Sequence, residues 1–324
     1  LQAVLNELAK LGCSFECASL REIKLVEKLN KPIILNGPCK TEAELKKALK
    51  LKAKINCDSL QEIEKIAKIK KQGKGKGKKA KQKIGKIGLR ITFEKSKFGI
   101  EASKIREAIE YAKKHSLVID TLHVHFGTQL NLSFYKKKIT ELLAFLEKSK
   151  LNFDFIDLGG GFPDKLRMQD QGVKLADYIK ELRPLTKFCK EIILEPGRYL
   201  VADSMHLMTK VHYLKENFSQ LYAIVDAGIN VLPKITLARY KIVKFEKFEA
   251  KKASKTEKAK QARKARQYLI AGPLLFRNDI IGTFYGNLKQ GDLLKIENVG
   301  AYCYNLAWEI SYKKPRVIVR SISK

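Results

Sequence analysis

The stretch DLGGGFP (157–163) sets three consecutive glycines after an apolar run. Without Cβ atoms, such residues let backbone N–H groups close around an anion, although a tight strand-to-helix turn with positive φ calls for glycine too. LEPGRYL (194–200) places a carboxylate, Glu195, three residues before a guanidinium, Arg198, with Pro196 and Gly197 forcing a turn between them. The carboxylate suits a protonated ring nitrogen and the guanidinium a phosphate, unless the two simply pair with each other. LHVHFGTQ (122–129) holds His123 and His125 two apart, so on a regular strand they share a face. His125, nearer the end of the run, is the candidate for stacking on or hydrogen bonding a planar ligand; the alternative is a structural imidazole. No third ligand accompanies the pair in the sequence, so no metal site is expected.

These stretches need a frame that gathers them. Apolar, β-rich runs predict strands at 14–18, 32–36, 54–57, 88–91, 122–126, 153–158 and 192–196, with amphipathic helices between them. Two helices open with capping signals, Thr41 with Glu44 and Ser59 with Glu62. Strict alternation of strand and helix predicts a parallel sheet with helical crossovers. An open doubly wound sheet and a closed (β/α)8 barrel compete. No G-x-G-x-x-G follows an early strand, and the polar and glycine-rich residues gather just past late strands, where a barrel keeps its active site. The expected fold is therefore a (β/α)8 barrel over 1–198, with seven strands visible and the first one missing. From 199 to 324 strands follow one another through turns, including 206–214, 221–228, 267–273, 292–298 and 316–322, which predicts a mostly β C-terminal domain. A Lys-rich insertion at about 244–266 interrupts it. Val4, Leu5, Leu8 and Leu11 predict a first helix with one core-facing stripe.

Composition narrows the classes. The 324 residues are 45% hydrophobic, enough for a large core, and no apolar run is long enough to span a bilayer. The six cysteines show no metal-binding spacing and read as reduced thiols, which points to a cytoplasmic protein. The formal net charge is +31, yet the runs 68–86 and 244–266 supply 17 of those charges. Both are low in complexity and nearly free of aromatics, so base stacking is hardly on offer, and solvated insertions explain them better than a nucleic-acid site.

An anion cradle, a carboxylate for a ring nitrogen and a stacking imidazole at one barrel mouth suit pyridoxal phosphate, whose pyridinium withdraws electrons from a bound amino acid. The motifs FECASLREI, GLRI with SKFGIE, LHVHFGTQ, DLGGGFP, EPGRYLVAD, VDAGIN, AGPLLFRND and GDLLKIENVGAYCYN occur in a telling order. In that order the chain resembles the pyridoxal-phosphate-dependent decarboxylases of the ornithine/diaminopimelate/arginine family, over nearly its whole length apart from the Lys-rich runs. The diaminopimelate branch is nearest in style. The resemblance implies a lyase that removes the α-carboxylate of an amino acid, working as a homodimer with shared active sites. It makes Gly159, Gly160, Gly161, Arg198 and Tyr302 the phosphate site. Glu195 would pair with the pyridinium nitrogen, His125 would stack on the ring, Thr128 would lie near the phosphate and Arg90 behind the cofactor. Lys97 and Asp279 would join inter-subunit contacts, and Arg277 is a candidate for an acidic group on the substrate.

Two departures stand against this. Where the family carries a cysteine followed by an acid, this chain has Leu275 and Phe276, which can neither return a proton nor meet a distal ammonium. Cys303 is a possible substitute, with a buried structural thiol as the alternative. The family's Schiff-base lysine ends the first strand, just before the counterpart of the opening helix, and Lys10 sits too late in that helix to replace it. The expectation is that a strand ending in lysine precedes Leu1 in the intact protein. A catalytically inactive homologue that acts by binding a partner or ligand is the alternative reading.

Overall fold

A computed structural model describes residues 2–72, 85–234, 237–245 and 265–320, so most of both Lys-rich runs lies outside the described residues. Contacts divide the chain into two compact units, one of Leu1–Gly161 with Ala176–Glu195, the other of Phe162–Leu175 with Pro196–Lys324. The sequence expectation put its single boundary at 198; the turn Pro196-Gly197 starts the second unit slightly earlier, and the segment Phe162–Leu175 belongs with it.

The first unit is built on parallel strands: β1 (Phe15–Cys17), β2 (Ile33–Leu35), β3 (Lys54–Cys57), β4 (Gly85–Thr92), the short β5 (Ile100–Glu101), β6 (Leu117–His123), β7 (Phe153–Asp157) and β8 (Cys189–Ile193). Their order in the sheet is β1-β2-β3-β4-β6-β7-β8, with β5 beside β4. Parallel strands are covered on both faces, which is why β2 reads as an unbroken apolar run and buries all of Ile33, Ile34 and Leu35. Helix α1 (Gln2–Lys10) precedes β1, and α2 (Leu20–Val26), α3 (Glu42–Lys50), α4 (Leu60–Gln72), α5 (Ile105–Lys114) and α6 (Leu132–Ser149) provide crossovers. This is the parallel α/β barrel sheet that the alternation predicts. Among the described residues no strand pairs with the outer edge of β1 or of β8.

The capping signals fare differently. At α3 the box forms in both directions: Thr41 Oγ1 accepts from Glu44 N, and Glu44 accepts from Thr41 N at 2.7 Å. Such a cap stabilises by about 1 kcal/mol. At α4 Ser59 Oγ accepts from Glu62 N, but the Glu62 carboxylate turns away to accept from Asp58 N at 2.9 Å and to pair with Lys40 at 2.9 Å. Both charged side chains of that pair are buried, so an ion pair replaces the second box and ties the loop after β2 to the loop after β3. The stripe expected on α1 is also incomplete. Leu11 is 79% exposed because the helix stops at Lys10 and the chain turns through Gly12 at φ 87°.

The second unit holds a six-stranded sheet of β9 (Leu207–Asn217), β10 (Gln220–Val225), β11 (Lys241–Lys244), β12 (Arg266–Ala271), β13 (Ile280–Gly286) and β14 (Leu293–Glu297). Their order is β11-β14-β9-β10-β12-β13. Val211, Ala223, Ile270 and Leu294 pack fully buried at its centre. The mostly β character was expected, but β11 and β13 were not foreseen, and the strand predicted at 316–322 does not form over its described part. Residues 316–320 find no ladder partner, and Ile318 and Val319 stay exposed. All six cysteines are free thiols. No helix among the described residues is long and apolar enough to cross a membrane.

Candidate active site

The site grows from the parallel strands of the first unit. His123 and Asp157 are register neighbours at the ends of β6 and β7, and Val124 N donates to Asp157 O at 2.8 Å as the last rung. Beyond it the two chains part. The strand expected at 122–126 therefore ends at His123, and the two histidines do not share a strand face. His123 is 1% exposed with neither ring nitrogen hydrogen bonded, while His125 lies in the following loop, where its Nδ1 accepts from Gly127 N at 3.3 Å. Thr128 is exposed in the same loop.

The glycine run is shaped by what approaches it. A Cβ on Gly159, which has φ +60°, would lie 2.6 Å from His125 Cδ2, and one on Gly160 would lie 2.9 Å from Glu195 O. Only glycine admits this closeness, so the loop presses the imidazole and the Glu195 backbone together. Gly159 N donates to Asp157 Oδ1 at 3.0 Å and Gly159 O accepts from Glu195 N at 2.8 Å. The first of the three expected anion donors is thus engaged inside the protein, which leaves Gly160 and Gly161 for that task.

Glu195 stands two residues past β8, and the sheet curls far enough for it to meet the other side of the barrel. Asn36, just past β2, donates to Glu195 Oε1 at 2.7 Å. Asn56 on β3 donates to Asn36 Oδ1 at 2.9 Å and to Asp157 Oδ2 at 2.9 Å. Carboxylate oxygens of Asp157 and Glu195 lie within 4.8 Å of one another. Burial, then the nearby Asp157 and Glu16 carboxyls, pushes the Glu195 carboxyl well above the usual range. Burial likewise raises Asp157. Glu16 on β1 is reachable by solvent but walled by protein on most sides, and burial followed by Glu22 raises it to about 7. The imidazoles move the other way: burial and then Arg90 hold both His123 and His125 below their ordinary value. Arg90 stacks on Phe98 at 4.3 Å and faces Asp58 Oδ1 at 3.5 Å, so it supports the wall from β4.

Three carboxyls crowd one mouth, each with its proton affinity raised, a setting that favours a cation. A protonated ring nitrogen against Glu195, with the His125 imidazole held over the glycine loop, fits that need and fits pyridoxal phosphate. His123, Asp157 and Glu195 also offer ligand atoms within 4.8 Å of one another, a grouping of the kind that holds metals. The sequence hid it because Asp157, at the end of β7, and Glu195, past β8, lie far along the chain from His123. Lys40 near the mouth is occupied: its Nζ donates to Gly37 O at 2.6 Å and pairs with Glu62. Lys10 is paired with Glu7 on an exposed helix face.

Arg198 and Tyr302 belong to the second unit, where the buried guanidinium sits 4.8 Å from the Tyr302 ring centroid. Next to Tyr302, the Cys303 thiol is buried 3.3 Å from Tyr240 Oη. Asp279 is 3% exposed, its carboxylate accepts from Ile229 N at 2.7 Å and Leu274 N at 2.8 Å, and a Cβ on Gly228 or Gly272 would collide with it, so it braces its own loops. Arg277 is exposed, as are Leu275 and Phe276, and Lys97 is exposed beside Phe98. Sequence reasoning missed Asn36, Asn56, Asp157 and Glu16. The available signal was polar side chains at or inside otherwise apolar strands, as in PIILN and KINC.

The fold and this site define a pyridoxal-phosphate protein of the barrel type, and comparison agrees. The family described as pyridoxal-dependent decarboxylase, pyridoxal binding domain, matches residues 2–202, and the chain belongs to that family. Its cofactor is pyridoxal phosphate. Among curated relatives, the diaminopimelate decarboxylase of Aquifex aeolicus is 30% identical over 93% of this chain and 73% of its own length. That of Vibrio cholerae is 30% identical over 97% and 76%. The solved diaminopimelate decarboxylase of Helicobacter pylori, complexed with L-lysine, superposes with a TM-score of 0.76 at 26% identity, covering 95% of this chain and 78% of that one.

Proposed function

We propose that this protein decarboxylates an α-amino acid with pyridoxal phosphate, and that its substrate is diaminopimelate or a close analogue. The observation that carries the reading is Glu195: a crowded carboxyl at a strand end, braced by Asn36, in a chain of this family. When bound, pyridoxal phosphate supplies the electron sink that lets a carboxylate leave the substrate's α-carbon. Glu195 would hold a proton at the ring nitrogen and so keep that sink strong. His125, fixed against Gly159, would cover one ring face and keep water from it. Gly160, Gly161, Arg198 and Tyr302 would hold the phosphate, with Thr128 nearby. A homodimer with shared sites would let Lys97 and Arg277 approach a neighbouring mouth.

Family membership also asks for a lysine that binds the cofactor covalently. Among the described residues no strand pairs with the outer edges of β1 and β8, and one more parallel strand there could carry that lysine. Leu275 leaves proton return to another group, for which the buried Cys303 is the candidate. An inactive homologue is the second reading, favoured by Leu275 and Phe276 alone. The full-length protein, loaded with pyridoxal phosphate and offered diaminopimelate, ornithine, arginine and lysine, should release carbon dioxide from diaminopimelate, and Glu195→Ala should abolish release. Cofactor binding without turnover on any of them would favour the inactive reading.

A further inference from the structure

His123 has no task in the function proposed above, yet it sits at the mouth with 1% of its surface exposed and no hydrogen-bond partner for either ring nitrogen. A buried polar group left without a partner costs about 1–3 kcal/mol, so an idle imidazole calls for something to bind it. What faces it is a pair of carboxylates. His123 and Asp157 are register neighbours on β6 and β7, and Glu195 stands two residues past β8, so three adjacent strands deliver one donor each to the same end of the sheet. Their ligand atoms lie within 4.8 Å of one another, and among the described residues no other three His, Cys, Asp or Glu side chains come together in this way.

We propose that His123, Asp157 and Glu195 form a site for a divalent transition-metal ion of the zinc type, and that the bound ion shuts out pyridoxal phosphate by taking the carboxylate its ring nitrogen needs. The exclusion rests on the reading of Glu195 as the ring-nitrogen partner. One imidazole with two carboxylates suits zinc, cobalt or manganese, whereas magnesium and calcium favour oxygen ligands alone. Ligand atoms about 2.1 Å from a common tetrahedral ion stand about 3.4 Å apart, so the three need close by no more than about 1.4 Å. The carboxylates are already oriented for this. Asp157 Oδ1 accepts from Gly159 N at 3.0 Å and Oδ2 from Asn56 at 2.9 Å, while Glu195 Oε1 accepts from Asn36 at 2.7 Å. Each of these oxygens keeps a further lone pair, so the donors support the ligands from behind without consuming them. His123 and Asp157 are buried and Glu195 is half-buried, which puts the fourth coordination position, open to water, on the Glu195 side. With Oε1 holding Asn36, Oε2 is the oxygen left for a cation, and a metal ion and a pyridinium drawn to one carboxylate repel each other.

Zinc chloride and the cofactor-free full-length protein test this. Wild-type crystals soaked in zinc should show anomalous density between the three side chains. In a fluorescence titration with pyridoxal phosphate, zinc held at ten times its own Kd should lower the apparent cofactor affinity about elevenfold by mass action, and magnesium at the same concentration should leave it unchanged. Loss of a ligand should cost more than loss of an outer-shell partner, so His123→Leu should weaken zinc binding by more than about 100-fold. That variant should then bind the cofactor equally well with and without zinc. Zinc held by the six free thiols, or by the cofactor in solution, would persist in it and is thereby told apart. The wild-type map and titration stand whether or not the variant folds. No zinc density at the three side chains, a wild-type cofactor affinity unmoved by zinc, or an equal zinc effect in wild type and folded His123→Leu would overturn the proposal. Failure of pyridoxal phosphate to bind the wild type in the absence of zinc would instead overturn the functional reading beneath it.

Discussion

Glu62 offers the sharpest stability test, because its single carboxylate joins two of the loops that carry the site. Glu62 Oε2 pairs with Lys40 Nζ at 2.9 Å and accepts from Asp58 N at 2.9 Å, and Oε1 accepts from Lys40 N at 3.3 Å. The Lys40 and Glu62 side chains are only 1% and 5% exposed, so neither charge can turn to water if the other is lost. Glu62→Gln leaves a buried ammonium whose remaining fixed partner is Gly37 O, and should cost about 3–5 kcal/mol, the range for breaking a buried ion pair. Against a total of about 5–15 kcal/mol for a folded protein, that is a large share. Lys40→Met should cost less, because the stranded carboxylate keeps its two backbone donors. The double variant buries no charge and should be less destabilised than the sum of the singles by at least about 1 kcal/mol. Urea dependence of amide hydrogen exchange in α3 and α4 reports this unit alone. Singles that add to within about 0.5 kcal/mol in the double variant would refute the coupling of the pair into one clamp.

Gly159→Ala should force His125 out of its seat and strain a backbone at φ +60°, so pyridoxal phosphate affinity should fall by at least about tenfold, roughly 1.4 kcal/mol; fluorescence titration with the cofactor checks it. Thr41→Ala should cost about 1 kcal/mol by loss of the side-chain half of the α3 capping box, measured as the same exchange shift. The pH dependence has two opposed parts. His123 has a folded pKa held below 6.5, so the stability from its neutral burial is present above that value and is lost as pH falls below it; His123→Gln should flatten the acid limb of an unfolding–pH profile. Glu16, raised from 4.5 to about 7, binds its proton more tightly when folded, so its contribution declines as pH climbs through that window, and Glu16→Gln should flatten the neutral limb.

The barrel was legible because parallel strands buried on both faces leave apolar runs between amphipathic helices, and β2, β3 and β7 fall within a residue or so of their expected positions. The end of β6 was not, since LHVHF has a strand-like composition up to Phe126, while the ladder stops where Val124 makes its last rung. In the second unit, β11 and β13 escaped because their pairing is not written in their own residues: β11 needs β14, and β13 needs β12. Glu195, His125 and the glycines could be picked out by residue type and position relative to strand ends. Asn36, Asn56 and Asp157 could not, because their roles come from side chains meeting across a curled sheet between residues up to 159 apart. Ser59 and Glu62 show the same limit locally, where a lysine from the neighbouring loop draws the carboxylate away from the helix cap.

Everything proposed for the mouth depends on Glu195 receiving the ring nitrogen of pyridoxal phosphate. A crystal structure of the full-length protein with that cofactor reads this contact without an intermediary. The ring nitrogen should lie within about 2.7–3.2 Å of a Glu195 carboxylate oxygen, with the His125 imidazole over the ring and Asn36 still bound to Glu195. A cofactor seated with its ring nitrogen away from Glu195 would contradict it.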